Sequence, residues 1–70
     1  MSLTRHLIHH DHVHRLVVTR DLEGWEVREE EDSTVLRRTR RADWHRVETD
    51  IQLFDIKACT LMGEGWYERS

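Results

Sequence analysis

Alternating apolar and polar residues mark three short segments in the first half of the chain. Residues 14–20 are rich in β-branched side chains that alternate with polar ones, which predicts a strand. The same pattern predicts strands over residues 25–30 and 35–40. A polar turn containing Gly24 separates the first two segments, and residues 31–34 form a second polar turn.

One long helix is the clearest element. Asp43 is a suitable N-cap, because its carboxylate can accept a hydrogen bond from a free amide of the first turn. Gly65 can take the left-handed C′ position, which places Trp66 at C″ against Leu61, and Gly63 is the competing stop. Apolar residues between these ends recur at spacings of three and four and form one stripe. The stripe consists of Trp44, Val47, Ile51, Phe54, Ala58 and Leu61.

These elements predict an α+β fold, a three-stranded antiparallel meander sheet packed by one long C-terminal amphipathic helix (β-β-β-α). Three short strands cannot hide an apolar face alone, whereas one amphipathic helix can cover it. We expect residues 13–70 to form a single domain behind a flexible, histidine-rich lead at residues 1–12. The predicted core consists of Leu16, Val18, Trp25, Val27, Val35, Trp44, Val47, Ile51, Phe54, Ala58, Leu61 and Met62.

Composition narrows the class of protein. The chain has 70 residues, enough for one domain, and its one cysteine, Cys59, rules out an internal disulfide and fits a reducing compartment. No stretch approaches the roughly 20 apolar residues of a membrane span, so we expect a cytoplasmic protein without a membrane partner. The net charge of −3 gives no overall field that would attract polyanions.

Three short strings resemble a group of short uncharacterised bacterial proteins. They are Glu-Gly-Trp-Glu-Val at residues 23–27, Asp-Trp-His-Arg-Val-Glu at 43–48 and Gly-Glu-Gly-Trp at 63–66. The resemblance spans about residues 15–68. It implies a bacterial, cytoplasmic setting and carries no activity, cofactor or functional residue with it.

The basic third strand makes nucleic-acid binding one candidate function. A row of arginines can neutralise phosphates, and a small sheet can lie in a groove. The alternative interpretation is structural, since alternation places Glu26, Arg28 and Glu30 between arginines of the flanking strands, where opposite charges pair. Interleaved aromatic residues for base stacking are lacking. The candidate residues are Arg37, Arg38, Arg40, Arg41 and Arg46, joined by His45.

The histidine-rich lead makes metal binding a second candidate. His10, His12 and His14 would share one face of a strand. On a helix, His6 would instead share a face with His10 and His14. Either spacing can present imidazoles to Zn²⁺, Ni²⁺ or Cu²⁺. The alternative is a polar, disordered tail, and no cofactor is predicted.

Residue patterns for catalysis are weak. Cys59 lies off the main stripe of the helix. His45 is four turns away on the same helix, so the pair does not have the arrangement of a nucleophilic thiol and its base. The acidic run at residues 29–32 is typical of a solvated hairpin end. We therefore predict that the protein is not an enzyme.

The back of the helix carries a second pair of large aliphatic residues. Leu53 and Ile56 lie away from the stripe that the sheet can cover, and Thr49 and Thr60 flank them. A helix that flanks one sheet should be polar there. Scattered exposed apolar residues are normal, however, and apolar residues of the lead could fold back over this pair.

These observations favour a non-catalytic interaction domain that binds a protein partner, or a second copy as a weak homodimer, through its helix. Nucleic-acid binding by the third strand is the alternative. Metal binding by the N-terminal histidines is the third hypothesis.

Overall fold

Four strands follow one another as hairpins, and a helix and a short fifth strand complete the chain. The structure is a computed structural model that describes residues 2–69. Its elements are β1 (Ser2–His9), β2 (His12–Asp21), β3 (Gly24–Glu31), β4 (Thr34–Arg41), α1 (Trp44–Gly63) and β5 (Tyr67–Arg69). The sheet is antiparallel in the order β4-β3-β2-β1-β5, so β4 and β5 are its edges. Across residues 2–69, no helix combines the length and apolar character needed to cross a membrane.

The prediction of a three-stranded meander was wrong, because the sheet has five strands. The segment expected as a lead forms β1, which pairs with β2 from Ser2↔Thr19 to His9↔His12. Leu7 on β1 is fully buried, so this strand supplies part of the core. Met1 lies outside the described residues, and the flexibility expected of residues 1–12 stays a prediction for NMR order parameters to test.

Tight turns of two residues build these hairpins. His10 has a φ of 54° in the β1–β2 turn, and Asp32 and Ser33 have φ values of 50° and 70° in the β3–β4 turn. Turns with positive φ match the right-handed twist of the strands that they join. Asp32 also accepts a hydrogen bond from the backbone N–H of Val13 at 2.9 Å, which ties the two turns together at one end of the sheet.

Both predicted ends of the helix are confirmed. Asp43 is the N-cap, and its Oδ1 accepts a hydrogen bond from the backbone N–H of Arg46 at 3.1 Å. At the other end, the backbone N–H of Trp66 donates to the carbonyl of Leu61 at 3.1 Å. Gly65 lies between them with a φ of 106°. These are the C″ to C3 bond and the left-handed C′ residue of a Schellman ending.

The core lies between α1 and one face of the sheet. Trp25, Ile51 and Leu61 pack against it and are partly buried. Among residues 2–69, the buried apolar residues are Leu7, Leu16, Val18, Val27, Val47, Phe54 and Ala58.

Three residues predicted for the core are instead exposed: Val35, Trp44 and Met62, at 44%, 37% and 42%. Val35 pairs with Glu30 beside a bulge in the edge strand β4, on the face of the sheet away from α1. Trp44 packs on Trp25 with a ring separation of 4.7 Å at the rim of the core. All three positions lie at or near the ends of their elements, where neighbouring residues cover them only in part.

Candidate interaction surface

Three ion pairs fix the orientation of α1 on the sheet. Asp50 is buried at 5% exposure and accepts two hydrogen bonds from Arg41 of β4, at 2.8 and 2.9 Å. Lys57 donates to Glu29 of β3. Asp55 pairs with Arg5 of β1, whose guanidinium lies 5.2 Å from the centre of the Phe54 ring. One side of the helix is therefore held against three strands, and the opposite side faces outward.

Glu29 is the centre of a small polar cluster next to the core. Its Oε2 lies 2.6 Å from both Lys57 Nζ and His14 Nε2. His14 is 4% exposed, and its ring stacks on Phe54 at 5.9 Å. Burial raises the pKa of Glu29, but the hydrogen bonds with Lys57 and His14 outweigh that effect and leave the pKa below its ordinary value of 4.5. The carboxylate is thus charged and paired at neutral pH, which is the condition for burying a charge at low cost.

The outward side of α1 carries a row that we call the outer stripe, made of Thr49, Leu53, Ile56 and Thr60. Leu53 and Ile56 are 54% and 66% exposed. The four residues are spaced four, three and four apart, the spacing of a helix seam that packs against a second helix. β1 lies within the sheet and does not fold back over the outer stripe. The N-terminal segment therefore does not cover Leu53 and Ile56, which was the alternative prediction.

The polar atoms of the outer stripe are already satisfied. Thr49 donates its hydroxyl to the carbonyl of His45 at 3.3 Å, and Thr60 donates to the carbonyl of Ile56 at 3.3 Å. Each threonine bonds back into its own helix, so burial of the stripe against a partner would leave no hydroxyl without a hydrogen bond. This arrangement lowers the cost of removing water from that surface.

A cleft of about 210 Å³ adjoins the outer stripe at Leu53. Apolar side chains share its lining with groups of both charges. Its charged groups are largely engaged, since Glu29 binds Lys57 and Asp50 binds Arg41. The lining residues are Leu16, Val27, Glu29, Arg37, Asp50, Leu53, Phe54 and Lys57.

The arginines of β4 do not form one free surface. Arg41 is bound to Asp50, and Arg40 donates to Asp21 at 2.5 Å. Arg38 lies 3.8 Å from Glu26. Alternation along the strand places Arg37 and Arg41 toward α1 and the other two arginines on the opposite face. Cross-strand pairing with β3, the structural interpretation of this strand, accounts for the contact of Arg38 with Glu26. Arg40 instead reaches Asp21 on β2, and Arg41 reaches the helix.

Arg46 lies apart from the arginines on the outer face of the sheet. It is exposed in the first turn of α1 and lines a small depression with Arg41 and Thr49. His45 is its exposed neighbour in the same turn. The structure thus divides the predicted nucleic-acid residues among the two faces of β4 and the start of the helix.

The three histidines of the metal hypothesis have separate environments. His10 sits exposed in the β1–β2 turn, with its ring 4.3 Å from that of His9. His12 is exposed and lies 2.7 Å from Asp32, whose hydrogen bond raises the pKa of this histidine. His14 is buried against Glu29. Within the described range, no three histidine, cysteine or carboxylate side chains are grouped to hold a metal ion.

Two buried polar residues escaped the sequence analysis. His14 lies within the predicted strand over residues 14–20 and continues the inward alternation of Leu16 and Val18, so its buried position could have been inferred from that pattern. Asp50 lies between Val47 and Phe54 on the inward side of α1, and its two hydrogen bonds from Arg41 of β4 explain a carboxylate at that position.

Comparisons of the chain with known protein families, with curated proteins and with solved structures found no significant match.

Proposed function

We propose that the protein is a non-catalytic interaction domain that forms a weak homodimer through the outer stripe of α1. The observation that carries the proposal is the exposed pair Leu53 and Ile56, flanked by Thr49 and Thr60 with internally bonded hydroxyls. A regular apolar seam on an otherwise polar helix surface is typical of a helix that packs against a second helix.

The energetics favour a weak dimer. Complete burial of a leucine or isoleucine side chain stabilises by about 1.5–3 kcal/mol. Leu53 and Ile56 are 54% and 66% exposed, so each has roughly 1–2 kcal/mol left to gain. A two-fold dimer contains four such side chains, for a gain of about 4–8 kcal/mol against an association cost of roughly 4–15 kcal/mol. At the favourable ends of both ranges the net gain is about 4 kcal/mol, so we expect a dissociation constant no tighter than about millimolar.

An antiparallel pairing of the two helices fits the charges best. A two-fold axis between Leu53 and Ile56 sets each Leu53 against the Ile56 of the second copy. It also brings Arg46, near the start of one helix, toward Glu64 at the end of the other. Asp50 of α1 is not available for a contact with the second copy, because it is buried and bound to Arg41. A parallel pairing would place Arg46 near its own copy, which is unfavourable.

Sedimentation equilibrium from micromolar to millimolar protein tests the proposal. We expect the mean mass to rise with concentration, and to stay monomeric in the double variant Leu53→Glu plus Ile56→Glu. Leu22→Glu is the matched control, because Leu22 is fully exposed in a hairpin turn away from the helix. Circular dichroism confirms that each variant is folded. A monomeric wild type at millimolar protein, or a dimer that survives the double substitution, would refute the interface.

Salt dependence separates this proposal from nucleic-acid binding by β4. Apolar association should change little between low and moderate salt, whereas phosphate binding falls steeply. A mixed-sequence DNA titration at low salt that shifts the amides of Arg37 and Arg38 would favour the alternative.

A further inference from the structure

The face of the sheet away from α1 carries a cavity of about 640 Å³. It lies over β1 and β2, near the edge strand β5 and the turns at one end of the sheet. The outer stripe is on the far side of α1, so this site is independent of the proposed dimer. Its lining residues are His6, Ile8, Asp11, Val13, Arg15, Asp32, Ser33 and Arg69.

Three basic side chains cross this face in one row. His6 pairs directly with Arg15 of β2 on one side and with Arg69 of β5 on the other. Directly opposite residues of neighbouring antiparallel strands have their Cβ atoms about 5 Å apart, so the three side chains are close neighbours. Two guanidinium groups on either side of an imidazole therefore form a place where an anion would be stabilising.

Arg15 has unused hydrogen-bonding capacity. Its Nε is buried and has no hydrogen-bond partner among the described residues. Glu30 lies 3.3 Å from this atom, close enough for an ion pair but without hydrogen-bond geometry, and the same carboxylate accepts a hydrogen bond from Arg28. The Arg15 side chain is 33% exposed and lines the cavity, so the terminal nitrogens of its guanidinium can donate hydrogen bonds to an oxyanion there.

An apolar surface adjoins the basic row. Ile8 and Val13 are cross-strand partners, both half-buried, two positions along their strands from His6 and Arg15. Two residues of strand correspond to about 7 Å, roughly the length of one aromatic ring with its substituent. Asp32, at the far end, is already bonded to His12 and to the backbone N–H of Val13.

We propose that this cavity binds a small organic anion, whose carboxylate or phosphate group contacts Arg15, Arg69 and His6 and whose apolar body lies on Ile8 and Val13. Arginine suits either head group, because its planar guanidinium donates two parallel hydrogen bonds to carboxylate and to phosphate oxygens alike. The apolar surface selects against inorganic ions, which would gain nothing from it.

An amide NMR titration of the full chain tests the proposal with benzoate and phenyl phosphate, and with benzamide as the uncharged analogue of benzoate. We expect saturable shifts at His6, Ile8, Val13 and Arg15, and binding of at least one anion about tenfold tighter than that of benzamide. The ratio between benzoate and phenyl phosphate identifies the preferred head group. Equal affinity for benzoate, phenyl phosphate and benzamide, or no shift at 20 equivalents of any probe, would overturn the proposal.

Substitutions of arginine by glutamine assign the contact. We expect Arg15→Gln and Arg69→Gln each to weaken anion binding about tenfold. Arg38→Gln is the matched control, because Arg38 is exposed on β4, on the same face of the sheet, and does not line the cavity. Arg69 lies in the short edge strand, so its substitution tests the site even if Arg15→Gln fails to fold. Unchanged affinity in Arg69→Gln, or an equal loss in Arg38→Gln, would contradict the assignment.

Discussion

The two glycines near the end of α1 should respond oppositely to alanine. Gly65 has a φ of 106°, and a Cβ there would lie 3.2 Å from His9 Nε2. Such backbone strain costs about 1–3 kcal/mol in an L-residue. Gly63 is the last residue of the helix, and a Cβ there would meet nothing within 4 Å. Alanine in a helical position is better than glycine by about 0.5–1 kcal/mol.

Thermal unfolding should therefore separate the variants widely. One kcal/mol shifts Tm by roughly 4–8 °C in a domain of this size. We expect Gly65→Ala to melt at least about 5 °C below the wild type and Gly63→Ala a few degrees above it. Gly65→Ala in a His9→Ala background removes the contact with His9 and leaves the backbone strain. We expect most of the decrease in Tm caused by Gly65→Ala to remain in that background. A Gly63→Ala variant less stable than Gly65→Ala would refute the Schellman assignment.

Two further substitutions test the core and its charged cluster. Glu29→Gln should reduce stability at pH 7 and make unfolding less sensitive to acid, since the lowered pKa of Glu29 stabilises the fold above about pH 4.5 and this gain is lost as pH falls. Urea unfolding at pH 7 and pH 3 measures both effects, and an unchanged acid response would contradict the pairing with His14 and Lys57. Leu7→Ala should cost about 2–5 kcal/mol because Leu7 is fully buried, whereas Leu22→Ala should stay within roughly 0.5 kcal/mol. A loss below 1 kcal/mol for Leu7→Ala would mean that β1 adds little to the core.

The helix could be read from the sequence because its signals are local. Asp43 caps its own first turn, and Gly65 closes the last turn with Trp66. The apolar stripe repeats over the whole length of α1, so one misplaced residue does not hide the pattern. Exposure of Leu53 and Ile56 follows from the same periodicity, which is why the outer stripe was among the predicted sites.

The first and last strands could not be read in the same way. β1 contains two histidines and an arginine, and its inward position 5 is Arg5, which reaches Asp55 and Glu68 instead of the apolar core. Polar residues at such positions conceal an alternation that Leu3 and Leu7 otherwise follow. β5 has three residues, too few for any period. Both strands depend on partners that are distant in the sequence, and single-sequence patterns do not contain those partners.

The basic row on the open face was also outside the reach of the sequence. His6, Arg15 and Arg69 come from three strands, and only the register of β1 with β2 and β5 aligns them. The arginines of β4 are close together in the sequence and were predicted as a binding site for that reason, yet most of them have acidic partners. Proximity along the chain was therefore a poor guide to which cations are available for a ligand.

Incorporation of β1 into the sheet has a consequence for both proposed surfaces. Apolar residues of the N-terminal segment could have covered the back of α1. Leu7 of this segment instead belongs to the core. The same strand widens the sheet, and its outward residues His6 and Ile8 line the anion cavity. In a domain of two layers, each layer covers only one side of the other. The far side of α1 and the far side of the sheet therefore both face solvent. Binding at either surface would add stability by mass action to a core with seven buried apolar side chains among residues 2–69.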